Sequence, residues 1–100
     1  MRKCLTAAEL AGELRELSQW RIELLDGVQS LTRSYSFKNF IDALAFANRI
    51  GELAESKNHH PQVNLQWGRI DIFWWSHDVT GITTSDVELA HATDTLFNPT

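Results

Sequence analysis

The segment from residue 62 to residue 75 constrains the fold more than any other part of the chain, because polar and apolar residues alternate along it around one glycine, Gly68. Alternation with a period of two predicts strands with one buried face, and a glycine between two such runs predicts a hairpin turn. If Gly68-Arg69 forms the turn, Leu65 lies opposite Ile72 and every pair on that face is apolar. The segment is therefore predicted to be an antiparallel hairpin.

The same pairing assigns the aromatic residues of the hairpin to its two faces. Trp67 and Trp74 share the apolar face with the aliphatic residues, so we expect both to be core residues. Phe73 and Trp75 fall on the opposite face, where a flat side chain could stack on a planar ligand.

Three helices are predicted outside this hairpin. Two begin at capping-box patterns, Thr6-x-x-Glu9 and Thr83-x-x-Asp86, in which a hydroxyl and a carboxylate bind exposed N–H groups of the first turn. The third, over residues 38–56, carries apolar residues every three or four positions. We expect this stripe to be core, and it consists of Phe40, Leu44, Ala47, Ile50 and Ala54.

Two further strands precede the middle helix. The runs at 20–25 and 28–37 are rich in strand-forming residues and flank Asp26-Gly27, a dipeptide suited to a tight hairpin turn. The first helix is expected to run to about Leu17. The predicted order of elements is α-β-β-α-β-β-α, in one domain over residues 1–100.

Composition excludes several classes of protein. The net charge of −4 disfavours direct nucleic acid binding. The longest apolar run, residues 43–47, is far shorter than the ~18 residues of a membrane span, and no targeting segment is recognisable. Cys4 is the single cysteine, so neither an intrachain disulfide nor a cysteine zinc site is available. We expect a cytoplasmic protein.

Histidines carry the chemistry that the sequence suggests. Extending the hairpin pairing places His60 opposite His77, with His59 at the same rim, whereas His91 lies on the last helix and is expected to be exposed to solvent. Imidazoles titrate near neutral pH, so such a group can contain both a proton donor and a proton acceptor. The pattern favours acid/base catalysis.

Two other interpretations of the histidines stay open at this point. Three imidazoles and Asp78 could form a zinc site, but neighbouring residues in an extended segment point in opposite directions, so His59 and His60 would need a bend at Pro61. The histidines could also be ordinary surface residues on a polar strand face.

The arrangement of these residues resembles the pterin-4a-carbinolamine dehydratases, also called 4a-hydroxytetrahydrobiopterin dehydratases. The similarity extends over nearly the whole chain, from Trp20 and the stretch 36–40 onward. The residues that carry it most specifically are Glu55-x-x-x-His59-His60-Pro61, Trp67, and Ser76-His77-x-x-x-Gly81-Ile82-Thr83-x-x-Asp86. Trp67 stands where the family usually has Tyr, and Trp75 is bulkier than the small residue common at its position.

The resemblance implies an α+β fold, a four-stranded antiparallel sheet with helices packed on one face. It implies a dehydratase without metal or cofactor that converts 4a-hydroxytetrahydrobiopterin to quinonoid dihydrobiopterin and water, recycling the cofactor of aromatic amino acid hydroxylases, and that assembles as a homodimer or homotetramer. A non-enzymatic protein-binding module, a coactivator or assembly factor, is the alternative. The implied catalytic residues are His59, His60 and His77, the substrate-binding residues Asn58, Trp75, Ser76 and Asp78, and the supporting residues Glu55, Pro61 and Asp86.

Overall fold

The computed structural model describes residues 3–97, which form three helices and four strands in the predicted order. The strands make one antiparallel sheet in the order β1-β2-β4-β3, so the predicted α+β class is confirmed. The elements are α1 (Ala7–Leu14), β1 (Arg21–Leu25), β2 (Val28–Ser36), α2 (Phe40–Lys57), β3 (Gln62–Gln66), β4 (Arg69–Trp74) and α3 (Thr84–Phe97).

The turn between β1 and β2 is the one that the sequence predicts. Asp26 and Gly27 have φ angles of 52° and 83°, and Leu25 pairs with Val28 on either side of them. Two successive positive φ angles are typical of the tight turns that match the twist of hairpin strands.

The hairpin of β3 and β4 has a different register from the predicted one. Leu65 pairs with Ile70 rather than Ile72, so the turn is Trp67-Gly68 and the pairing is displaced by two residues. Because side chains alternate with a period of two, this displacement leaves every strand residue on its predicted face. It moves Trp67 into the turn, however, where it is 70% exposed, so its assignment to the core was wrong.

Close contact between Gly68 and Phe37 explains where this turn lies. The Phe37 N–H donates to the Gly68 carbonyl oxygen over 2.8 Å. A Cβ atom on residue 68 would lie 2.9 Å from the Phe37 carbonyl oxygen, which is closer than a side chain tolerates. The turn therefore sits where a glycine can approach the end of β2.

The core lies between the sheet and the helices and is rich in aromatic rings. Tyr35 of β2 packs against Phe46 of α2 and Phe97 of α3, with ring centroids 4.9 and 4.8 Å apart. Leu31, Ile72 and Trp74 are fully buried beside it. The polar face of the sheet lies away from these contacts.

Helix α2 buries only part of the predicted stripe, since Ile50 and Ala54 are buried as predicted but the residues nearer its start are not. Phe40 and Leu44 are 42% and 37% exposed, so their assignment to the core was wrong, and Ala47 is half-buried. The helix carries apolar residues on two neighbouring stripes, and packing of Phe46 against Tyr35 selects one of them. The buried residues are Ala43, Phe46, Ile50 and Ala54.

Helix α1 begins with the predicted capping box, in which the Thr6 hydroxyl accepts from the Glu9 N–H and the Glu9 carboxylate accepts from the Thr6 N–H. It ends at Leu14, earlier than predicted, and Leu17 is buried in the turn that follows. Across residues 3–97, none of the helices has both the length and the apolar character needed to cross a membrane.

The carboxylate of Asp94, near the end of α3, accepts hydrogen bonds from three residues on the sheet side of the core. Asp94 Oδ1 accepts from Arg33 Nη1 and from the Tyr35 hydroxyl, each over 2.6 Å, and the Trp20 indole N–H lies 3.0 Å from both carboxylate oxygens. Burial and the neighbouring Asp94 raise the pKa of Tyr35 far above its usual range. This cluster fastens α3 to β2.

Candidate active site

The end of α2 places the first two histidines. Asn58 adopts a left-handed conformation, with φ 49° and ψ 45°, and its N–H bonds back to the last turn of the helix. The His59 N–H still donates to the Ala54 carbonyl over 3.1 Å, so the chain leaves the helix immediately afterwards. Pro61 disfavours helical geometry at His60 and starts the extended path into β3.

The third histidine lies in a short loop beyond β4. Ser76 and Gly81 form an isolated antiparallel bridge with N···O distances of 2.7 and 3.3 Å. The loop closed by this bridge carries His77 and Asp78, both exposed. The bridge thus fixes the base of the loop against the sheet while the two side chains remain accessible.

His60 and His77 meet, but not as the predicted pair of opposed side chains. The ladder between β3 and β4 ends at Gln62 and Phe73, because of the displaced register. Contact is made instead by His77 Nε2, which lies 3.1 Å from the His60 carbonyl oxygen. The His60 imidazole itself bonds through Nε2 to the carboxylate of Glu55 on the last turns of α2.

Asp86 is a fully buried carboxylate that joins α3 to the site. Its Oδ1 lies 2.8 Å from His59 Nε2, and its Oδ2 accepts from the Ser76 hydroxyl over 2.7 Å and from the Thr83 N–H over 2.8 Å. Of the two hydrogen bonds of the predicted capping box, the one from the Thr83 N–H to the Asp86 carboxylate is formed. The one from the Asp86 N–H to the Thr83 hydroxyl is not. The Thr83 hydroxyl bonds to Ser76 Oγ over 2.8 Å, and the Asp86 N–H donates to the Thr83 carbonyl.

The hydrogen bonds define which nitrogen of each imidazole carries the proton. His59 Nε2 faces the Trp75 carbonyl at 3.0 Å as well as a carboxylate, His60 Nε2 faces Glu55, and His77 Nε2 faces a carbonyl. Carbonyl and carboxylate oxygens accept hydrogen bonds, so each Nε2 must be the donor. Nδ1 is then the basic nitrogen of each neutral ring.

The three histidines surround one cavity of about 350 Å³. This cavity is large enough for a bicyclic heteroaromatic ligand, and it combines hydrogen-bonding groups with imidazole faces. Within residues 3–97, no three His, Cys, Asp or Glu side chains are grouped so as to hold a metal ion. The lining residues are Asn58, His59, His60, His77 and Asp78.

The other residues singled out from the sequence do not line this cavity. Ser76 is buried behind it, bonded to Asp86, and Pro61 is half-buried. Trp75 stacks on His77. His91 is half-buried on α3, where an exposed side chain was predicted.

A second cavity of about 540 Å³ shares Asn58 and His59 with the first and was not foreseen from the sequence. It lies between the end of α2 and one face of α3. No sequence pattern marks these residues, because they come together only when the two helices pack. Its further lining residues are Lys57, Ser85, Glu88, Leu89 and Ala92.

Comparison with protein families identifies one match, described as pterin 4 alpha carbinolamine dehydratase, which extends over residues 3–96. Curated relatives agree with it. A protein of Syntrophotalea carbinolica, provisionally named a pterin-4-alpha-carbinolamine dehydratase, is 44% identical over 92% of this chain and 82% of its own length. A Saccharophagus degradans protein with the same provisional name is 44% identical over 84% of this chain and 74% of its own length.

Solved structures show the same fold. A crystal structure of a transcriptional coactivator/pterin dehydratase from Brucella melitensis aligns with a TM-score of 0.83 and 31% identity, covering 94% of this chain and 98% of that one. A pterin dehydratase-like protein, identified as a RuBisCO assembly factor in the alpha-carboxysome, aligns with a TM-score of 0.61 over 78% of this chain and 88% of its own. The second is 19% identical, so that likeness concerns the fold alone.

Proposed function

This chain belongs to the pterin 4 alpha carbinolamine dehydratase family, and on that premise we propose that it converts 4a-hydroxytetrahydrobiopterin to quinonoid dihydrobiopterin and water. The observation that carries the proposal is the group of His59, His60 and His77 around one cavity, each with Nε2 bonded to an oxygen acceptor. This leaves three basic Nδ1 atoms for proton transfer in a small volume.

The reaction needs one proton donor and one proton acceptor. The C4a–O bond breaks as the leaving hydroxyl takes a proton and departs as water, and the N5–H bond breaks as N5 gives up its proton. The electron pair of that bond forms the C4a=N5 double bond. One imidazolium supplies the first proton and one neutral imidazole takes the second, so the number of protons on the protein is unchanged.

Hydrogen-bond partners of the three rings suggest a division of roles. His59 and His60 donate to the carboxylates of Asp86 and Glu55, which stabilise a positive ring, so either can act as the imidazolium. His77 donates only to an uncharged carbonyl among these contacts. We assign His77 as the neutral acceptor of the N5 proton, and Asn58 and Asp78, which line the cavity, as residues that bind the pterin edge.

A protein-contact role is the second candidate, and an exposed apolar surface on α2 supports it. Phe40, Ile41 and Leu44 are 42%, 69% and 37% exposed. Such a surface on a helix commonly makes a protein contact. A homodimer or homotetramer could form through this surface, whose residues are not among those that line the cavity. Light scattering of the purified protein would measure the mass of the assembly.

The dehydration rate of freshly generated 4a-hydroxytetrahydrobiopterin, followed spectroscopically, tests the proposal. The wild type should accelerate it, and His60→Ala should lower kcat by ~10²–10⁴, the usual range for loss of a general acid or base. His91→Ala is the matched control, since His91 lies on α3 outside the cavity lining, and should retain full activity. A folded wild type that gives no acceleration would refute the enzyme and favour the protein-contact role.

A further inference from the structure

Trp75 and His77 form a parallel stack at the edge of the cavity. Their ring centroids are 4.5 Å apart and the ring planes differ by 7°. Trp75 directly follows β4, and in an extended segment residues i and i+2 point to the same side, so the sequence spacing itself brings the rings together. The indole face turned toward His77 is occupied and cannot also hold a ligand.

The main chain of Trp75 holds a second histidine. Its carbonyl oxygen lies 3.0 Å from His59 Nε2, while its side chain stacks on His77. His77 is in turn hydrogen-bonded to the His60 carbonyl. The imidazole of His77 is thus held at one edge by a carbonyl and across one face by an indole, and a side-chain substitution at Trp75 removes only the second of these contacts.

We propose that Trp75 is a positioning residue for His77 rather than a group that binds the substrate, a role that rests on the proposed dehydratase function. Without the stack, only the hydrogen bond to the His60 carbonyl would hold this exposed ring, so the ring would sample other rotamers more often. The indole fixes the plane of the imidazole, so that the ring keeps one orientation on the lining of the cavity. Its electron-rich face also stabilises the positive charge that develops on His77 as the ring accepts the N5 proton.

The size of the effect follows from the strength of an aromatic pair, which changes the population of the paired geometry by a factor of about 2–10. Trp75→Leu should therefore lower kcat about 2- to 10-fold and leave KM within about twofold. Trp75→Phe keeps a ring that can stack and should recover most of the lost rate. Trp67→Leu makes the same chemical change at an exposed turn residue and should leave both constants unchanged.

Proton NMR of the imidazole groups supplies a readout that does not depend on activity. The His77 ring protons lie over the indole and should be shifted upfield by its ring current, with His77→Gln identifying the signals by their absence. In Trp75→Leu these signals should move downfield, and in Trp67→Leu they should stay in place.

Several results would overturn the proposal. A raised KM with unchanged kcat in Trp75→Leu would show that the indole contacts substrate. Unshifted His77 signals in the wild type would show that the stack is absent in solution. An active wild type with unchanged kcat in Trp75→Leu would refute the positioning role alone, whereas an inactive wild type would refute the proposed function and this role with it.

Discussion

Asp86→Asn probes the link between α3 and the catalytic histidines. The carboxylate is fully buried and accepts from His59 Nε2, the Ser76 hydroxyl and the Thr83 N–H. Asparagine has nearly the same shape but only one oxygen acceptor, and its other terminal group is an N–H donor. The substitution therefore changes the hydrogen-bond direction at one position with little change in packing.

The geometry determines which bond is lost. The asparagine oxygen can replace Oδ2, because Ser76 and Thr83 together supply two donors there. The amide N–H groups then face the Nε2–H of His59, so two donors meet. The Nε2–H can then donate only to the Trp75 carbonyl, whereas moving the proton to Nδ1 would set the Nε2 lone pair against that carbonyl. In either case His59 loses the anionic partner that fixes its proton and its ring orientation.

We expect a large loss of activity and a moderate loss of stability. If His59 takes part in proton transfer, the loss of its carboxylate partner should lower kcat by ~10²–10⁴. The loss of one hydrogen bond to a charged group should lower the free energy of unfolding by ~1.5–3 kcal/mol. Dehydration kinetics at saturating substrate measure the first quantity, and urea denaturation followed by tryptophan fluorescence measures the second.

Asp94→Asn is the matched control, because it makes the same change in another α3 carboxylate that binds Trp20, Arg33 and Tyr35 instead of a site histidine. It should lose stability and keep kcat. If Asp86→Asn retained kcat within about threefold while folded, orientation of His59 by the carboxylate would be refuted. Equal losses of kcat in both variants would point to a general effect of destabilisation.

Three other predictions concern stability and are measured by chemical denaturation. Asp94→Asn should cost ~1–3 kcal/mol, since Arg33 loses a partly buried partner, and equal stability would show that the ion pair is unimportant. Burial opposes a low pKa at Asp71, but hydrogen bonds from neighbouring side chains outweigh it and hold the pKa below its usual value. Its ionised form therefore stabilises the fold at neutral pH, and the difference between wild type and Asp71→Asn should shrink as the pH falls below about 4; a constant difference would contradict this. Gly68→Ala should cost ~1–3 kcal/mol, because its Cβ would press on the Phe37 carbonyl, and a neutral substitution would show that the turn can move.

Periodicity predicted some features of the hairpin correctly and could not predict others. Alternation correctly places Leu65 and Ile72 on the buried face, because a slip of the strand pairing by one residue would expose all the apolar side chains of the strand. A displacement of the pairing by two residues keeps the same side chains on the buried face, so alternation cannot distinguish the two registers. The predicted register was wrong. The decisive contact, between Gly68 and Phe37, joins β4's turn to the end of β2 and has no local signature.

Helix α2 shows the same limit. The helix itself and its approximate ends follow from spacing and from Pro61, but Phe40 and Leu44 belong to an apolar stripe that the fold leaves exposed. Which stripe is buried depends on where the large ring of Phe46 meets Tyr35. The buried stripe is therefore determined by packing between α2 and β2, and it cannot be predicted from the sequence of the helix alone.

The sequence by itself determined the order of the elements, the faces of the strands and the family to which the chain belongs, because these depend on residue type and spacing along the chain. It also pointed to the three histidines. Tertiary structure decided the long-range contacts of the site, which are the α3 carboxylate of Asp86 at His59 and the His60 carbonyl at His77. Glu55 with His60 and Trp75 with His77 are instead pairs of residues close in the chain. A hydrogen bond acts over about 3 Å, so the proton positions on His59 and His77 are decided by contacts between segments that lie far apart in the sequence.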